Sequence, residues 1–226
     1  MDIVEAINQR KSIRAFKPDP VPLDILKQIM DLALRAPSWA NTQPWEFAIV
    51  SGRELEEIRR GFIEKAEDKP TPDIPGPGEF PKPYDSRIQA LVPKLLEIQS
   101  IRREDIEGRD RWRLRGLEHF GAPAVIYICI DRSFYFQSRG LNVWPVFDCG
   151  LVAENIMLLA TEYGLGTIPQ AQAVRYPEVL RKVLGTPDSK LILLGIAIGY
   201  PDWDDPINQF RSEREPLEKV ARWYGF

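Results

Sequence analysis

The chain is short of the residues that metal and thiol chemistry need: one histidine and two cysteines in 226 residues. A lone His119 rules out most histidine-based metal sites and makes a Ser-His-Asp triad hard to assemble, and no cluster has zinc-ligand spacing. Two cysteines are not a disulfide framework. Cys129 sits inside the apolar run Val125–Ile130 and Cys149 in an apolar helical stretch, so both read as small buried hydrophobes in a reducing, cytoplasmic setting. An excess of either charge is also lacking. Thirty basic and thirty-three acidic residues leave −3, which removes any global attraction for nucleic acid or an anionic membrane. No apolar run has the length of a transmembrane helix. The N-terminus reads as an acidic amphipathic helix, not a signal peptide. A glycine-rich pyrophosphate turn is missing as well. Enzymatic chemistry in such a chain comes from a bound organic cofactor.

What is present suffices for one core. A hydrophobic share of 44% is ordinary for a globular domain, and the length suits a single domain over 1–226 with a variable, lid-like insertion at about 67–119. Asp2 caps a first helix in which Ile3, Val4, Ala6 and Ile7 share a face. Pro22 opens a second, with Ile25, Leu26, Ile29, Met30, Ala33 and Leu34 at helical spacing, ending before Pro37. Trp45–Val50 reads as a strand, and residues 53–66 as a charged helix. Lys69–Tyr84 holds Pro70, Pro72, Pro75, Pro77, Pro81 and Pro83, a density that excludes helix and interior strand and points to a long ordered loop over a site. Helices at 85–99 and 103–118 follow. Ala124–Ile130 is apolar throughout and so belongs to a strand buried on both faces. A helix over 145–163 ends at Gly164, a loop or short strand follows to Gln170, and a helix at 176–184 leads to the strand Leu191–Ile198. Tyr200–Phe226 has no partner strand and little local means of burying Trp203, Phe210, Trp223, Tyr224 and Phe226, which points to packing on another subunit.

Two segments carry the chemistry. Arg10, Lys11, Ser12 and Arg14 place three cations and a hydroxyl within one short stretch, the donor set that a phosphate requires. Alone, such a cluster is usually a solvated face. About two dozen residues later, Pro37, Ser38, Trp39, Asn41 and Gln43 form a polar loop whose amides offer a donor and an acceptor each, as the edge of a heterocycle demands.

In this order and spacing the two segments resemble the FMN-dependent nitroreductase family, with a pattern after Pro83-Tyr84 and around Phe120-Gly121-Ala122-Pro123 similar to its nitrobenzoate- and nitrobenzene-reductase-like branch. The resemblance covers Met1 to about Val50 and Ala122 to the C-terminus. It implies an α/β (α+β) fold, a central mixed sheet flanked by helices, in a homodimer that exchanges an extended C-terminal tail. It implies FMN at the interface, NADH or NADPH as electron donor, and a small aromatic acceptor such as a nitroaromatic, reduced in two half-steps. Arg10, Lys11, Ser12 and Arg14 match the family's phosphate and ribityl site. Pro37, Ser38, Asn41 and Gln43 match a loop that reaches the flavin held mainly by the other chain. Ile168, Pro169, Gln170 and Ala171 match a stretch whose backbone N–H groups meet the flavin near N5 and O4. Arg214, with Arg211 second to it, matches a C-terminal residue that closes on the phosphate. Arg115 falls near a position that contacts the flavin's pyrimidine end. Trp39, Phe134, Tyr135, Phe136 and Trp144 are candidate walls for a flat acceptor. No acid or base residue is implied. Other reactions of the same flavin fold stay open: iodotyrosine-type dehalogenation, ene or quinone reduction and flavin fragmentation. So does a non-catalytic flavin-binding role.

Overall fold

A computed structural model describes residues 1–226 except Pro77 and Arg139, which include one proline of the Lys69–Tyr84 segment. Helices α1 (Ile3–Gln9) and α2 (Leu23–Ala33) precede strand β1 (Trp45–Ser51) and helices α3 (Gly52–Glu64), α4 (Tyr84–Ile98) and α5 (Ile106–Leu117). Strand β2 (Ala124–Asp131) leads through a short helix α6 (Arg132–Tyr135) and a two-residue hairpin, β3 (Phe136–Gln137) and β4 (Gly140–Leu141), to helix α7 (Trp144–Glu162). Strand β5 (Gly166–Gln170), helix α8 (Pro177–Leu184), strand β6 (Lys190–Gly199) and a short helix α9 (Leu217–Val220) complete the chain. The helical and strand periods of the sequence locate the long elements to within a few residues. Asp2 caps α1 by accepting the Glu5 N–H at 2.8 Å.

The main sheet has the order β1-β2-β6-β5. Its named strands all pair antiparallel. The parallel contact is a single bridge, Ser12 beside Thr167. Strand β2 explains why the sheet is covered on both faces. Ile126, Ile128 and Ile130 pack with Ile29, Val152 and Ile156 of α2 and α7, while Val125, Tyr127 and Cys129 pack with Ile58, Phe62 and Leu180 of α3 and α8. Alternate side chains of one buried strand therefore feed two cores. Among the described residues no helix is long and apolar enough to cross a membrane.

The insertion divides in two. Its proline-rich part lies along the sheet edge beyond the end of β5. There the Asp73 Oδ2 accepts the Ile192 N–H at 2.8 Å and pairs with Arg181 at 2.9 Å, satisfying a strand edge that β5 no longer covers. Helix α4 instead packs Leu95 with Ala15 and Ile207. Asp73 thus anchors the proline-rich part away from the basic segment. Ile192 lies at the start of β6, whereas the basic segment meets the sheet near its end.

Candidate functional site

The basic segment is laid against β5. The Ile13 N–H donates to the Thr167 oxygen at 3.0 Å, extending the sheet by one bridge at its edge. Gly166 makes this approach possible: a Cβ there would stand 2.5 Å from Ile13 Cγ1 and 2.8 Å from Pro201 Cγ. Arg10, Lys11 and Arg211 then line one cavity of about 480 Å³ together with Trp203 and Gly164–Gly166. Arg10 Nε lies 3.5 Å from Glu154, and Lys11 Nζ stands 4.9 Å over the Trp203 ring. Burial, and then the Arg211 charge, hold the Lys11 ammonium below its ordinary range. Burial alone does the same to the Arg14 guanidinium, which has no charged partner among the described residues. Cations gathered in one partly buried corner, with the Ser12 hydroxyl among them, fit a phosphate dianion.

Residues 200–210 build this arrangement, contrary to the expectation that the whole tail lacks a local core. The Lys17 N–H donates to the Tyr200 oxygen at 2.9 Å and the Asp202 N–H to the Ala15 oxygen at 3.0 Å. Asn208, fully buried, accepts the Arg14 N–H at 2.8 Å and donates to the Ala15 and Asp202 oxygens, both at 2.7 Å. Ile207 is buried beside them and Phe210 packs on the same small cluster. The expectation fails here because backbone pairing with residues 14–17 substitutes for a strand partner. It stands for the end of the chain, where Trp223, Tyr224 and Phe226 are exposed.

The two C-terminal arginines take different places in the chain. Arg211 faces Arg10 and Lys11, whereas Arg214 lines a different cavity beside Arg87 and Lys94 of α4 and donates to Ser212 and Glu213. Arg115 lies in the same corner but has its donors committed within the chain, to Gln99 at 3.0 Å, the Arg14 oxygen at 3.1 Å and Asp205 at 3.3 Å. It braces α5 against the basic segment.

Ile168 and Gln170 are buried in β5, Pro169 is half-buried and Ala171 is exposed. Pro169 has no N–H, so Ile168, Gln170 and Ala171 supply this stretch's backbone donors. Gln170 Nε2 donates to the Gly116 oxygen at 3.0 Å.

The polar loop is elsewhere. It leads into Trp45, which pairs with Ile130, and Ile130 pairs with Leu191. The basic segment meets Thr167, which pairs with Ile198. From Leu191 to Ile198 the strand rises about 23 Å, and β1 and β5 lie at opposite edges, roughly 14 Å apart. The two motifs therefore occupy diagonally opposite corners of one sheet. Within the loop Ala40, Asn41 and Gln43 all have positive φ, 46°, 60° and 46°. Ser38 Oγ accepts the Gln43 N–H at 2.9 Å, and Asp148 of α7 accepts the Trp39 N–H at 3.1 Å. Pro37, Trp39, Asn41 and Gln43 are exposed and Ser38 is half-buried.

The aromatic candidates share the loop's end of the sheet, beyond Asp131. Phe136 and Trp144 are exposed, Phe134 and Tyr135 half-buried. Tyr135 meets Phe136 edge-on at 4.9 Å, and Trp144 meets Phe147 at 6.0 Å. Sequence reasoning missed Phe147, Asp148 and Asn208. An aspartate inside the apolar run Val146–Cys149 was a visible signal; nothing local marked Asn208. Outside both corners, His119 is fully buried against the Tyr127 hydroxyl at 3.0 Å, and burial pushes its imidazole down to about 3. Burial pushes both cysteine thiols up to about 12, so neither is a thiolate at neutral pH.

The model of the nitroreductase family matches residues 7–200. A chloronitrobenzene nitroreductase of Comamonas testosteroni is 31% identical over 97% of this chain and 95% of its own length. Nitroreductase NfnB of Mycolicibacterium smegmatis is 30% identical over 96% of this chain and 90% of its own. Among solved structures, the FMN- and NADPH-dependent nitroreductase NfnB from a Sphigopyxis strain superposes with a TM-score of 0.93 at 29% identity, covering 100% of both chains. A family match over residues 7–200, relatives aligned along nearly their whole length and a shared fold lead to one conclusion: this chain belongs to the nitroreductase family.

Proposed function

We propose that the chain is an FMN-dependent NAD(P)H oxidoreductase that reduces nitroaromatic or similar electron-poor acceptors as a homodimer. The observations that carry this reading are the cavity lined by Arg10, Lys11 and Arg211 and, a few residues along the same segment, Arg14, a partly buried guanidinium with no charged partner among the described residues, on a peptide held by Asn208. An unpaired buried cation costs free energy unless an anion compensates it. The FMN phosphate is that anion, held by Arg10, Lys11, Ser12, Arg14 and Arg211. Bound FMN would supply the redox chemistry, accepting hydride from a reduced nicotinamide and delivering electrons to the acceptor. The residues would do the rest. The cations would hold the phosphate end, backbone N–H groups of Ile168, Gln170 and Ala171 would face the ring, and Asn41 and Gln43 would offer it amide edges.

The diagonal separation of the motifs sets the assembly. A cofactor anchored at the basic corner meets the polar loop of a second copy, along with Trp39, Trp144 and Phe147. Exposed apolar groups support such an interface: Ile3, Val4 and Ile7 of α1, and Trp223, Tyr224 and Phe226 of the tail. An interface that covers them belongs to the obligate class, above roughly 2,000 Å². Donor and acceptor use one aromatic-walled face in turn, which gives ping-pong kinetics.

Purified protein tests the reading. It should be yellow, release FMN and not FAD on denaturation, and oxidise NAD(P)H faster when a nitroaromatic is added, with parallel double-reciprocal lines. Released FAD, or no response to any nitro compound, rejects it.

A further inference from the structure

Asp148 is one of few buried charged side chains, 3% exposed, in the second turn of a helix otherwise apolar at its start. Among the described residues the hydrogen bond it accepts is that of the Trp39 N–H. The segment it holds is unusual. Three non-glycine residues within four positions, Ala40, Asn41 and Gln43, take left-handed φ values, which side chains with a Cβ avoid. Such a conformation persists only where surrounding contacts over-determine it. The loop's own turn bonds, Asn41 N–H to the Ser38 oxygen and Thr42 N–H to the Trp39 oxygen, both at 3.0 Å, and Gln43 Nε2 to the Asn41 oxygen at 3.3 Å, are joined by two side-chain acceptors: Ser38 Oγ for the Gln43 N–H at the loop's exit, and Asp148, which ties the loop to α7, for the Trp39 N–H at its entry. Asp148 also lies one helical turn after Trp144 and next to Phe147, both exposed aromatics. One carboxylate thus sets the register between the polar loop and the aromatic face of α7.

We propose that Asp148 is the positioning residue of the acceptor side: its carboxylate oxygen fixes the Trp39 peptide, and through it the left-handed loop that presents Asn41 and Gln43 beside Trp144 and Phe147. The proposal rests on the reading above for its catalytic consequence, but the anchoring itself does not. What the position requires is an acceptor oxygen, so an amide of the same shape serves in its place.

The test compares Asp148→Ala, Asp148→Asn and Ser38→Ala in the purified holoprotein, reading hydrogen exchange of the 37–44 segment together with KM and kcat. Asp148→Ala should speed exchange in that segment and raise the acceptor KM roughly tenfold, the fold-change of one lost charge-assisted hydrogen bond, with kcat little changed. Asp148→Asn should restore both. Ser38→Ala, which frees the loop from its other end, should reproduce the effect, and Asp148→Ser, too short to reach the Trp39 N–H, takes the place of Asp148→Ala if that variant does not fold. Unchanged exchange in Asp148→Ala, or equal damage in Asp148→Ala and Asp148→Asn, overturns the proposal. Altered exchange in a protein whose wild type turns over no nitroaromatic leaves the anchor standing and rejects the functional reading instead.

Discussion

Asn208 holds the Arg14 peptide from nearly two hundred residues away: its Oδ1 accepts the Arg14 N–H at 2.8 Å while its amide nitrogen donates to the Ala15 oxygen at 2.7 Å. The contact closes the chain on itself at the corner where the cations gather. It makes the start of the C-terminal segment part of the basic corner.

Removing this buried amide should therefore act on binding as well as folding. Asn208→Ala leaves the Arg14 N–H and the Asp202 oxygen without their partner, while the Ala15 oxygen keeps the Asp202 N–H, and should destabilise the fold by about 1–3 kcal/mol. It should also speed FMN loss under conditions where the protein stays folded. Urea unfolding with and without added FMN separates the two effects. Unchanged FMN retention in a folded variant would detach Asn208 from the site.

Arg14→Ala should weaken FMN binding by on the order of 1.5–3 kcal/mol, the value of a hydrogen bond to a charged group. Arg109→Ala, on an exposed turn of α5, should leave retention as it is. Fluorescence titration of apoprotein with FMN measures both. Equal losses would mean that the phosphate is not held at the basic segment.

The sequence made the long elements legible because their periods are strong. Ala124–Ile130 alternates between two cores and so is apolar throughout, and Ile25–Leu34 repeats at helical spacing. The phosphate residues were legible because charge and hydroxyl cluster within one stretch. Pairings between distant segments were not. Nothing in Asn208 announces Ala15, and nothing in Arg211 or Arg214 says which will face Lys11; a backbone bridge and the path of the tail decide that. The sequence offered Arg115 only as a residue near the flavin's pyrimidine end; that α5 brings it onto the Arg14 oxygen and Asp205 had no local sign.

His119 makes stability depend on acid. Its folded-state pKa is held down at about 3 by burial, and in the unfolded chain it returns to about 6.5. The unfolded state thus binds the extra proton between those values. This contribution is complete above about pH 6.5 and is lost as pH falls towards 3. Urea midpoints at pH 7, 5 and 4 should fall less steeply for His119→Gln than for wild type. Parallel profiles would show that His119 is not the group concerned.

Asp73 pins the proline-rich segment to the sheet edge. Asp73→Ala leaves Arg181 without this partner and the Ile192 N–H unpaired, at a cost on the order of 3 kcal/mol. Proteolysis should then move to residues 69–83, while FMN retention, governed by the other end of β6, stays as in wild type. Loss of FMN without new cleavage would contradict this placement.

We propose that each site is completed by a second copy, since the basic segment and the polar loop lie at opposite corners of one sheet. A mixed dimer of an Arg14→Ala chain with an Asn41→Ala chain tests it most directly. If sites are shared, one carries both lesions and the other is intact, so nitroaromatic-dependent NAD(P)H oxidation should return to about half the wild-type value per dimer. If each site belongs to a single chain, both sites in the mixed dimer are damaged. Activity no higher than the mean of the two mutant homodimers would contradict the account.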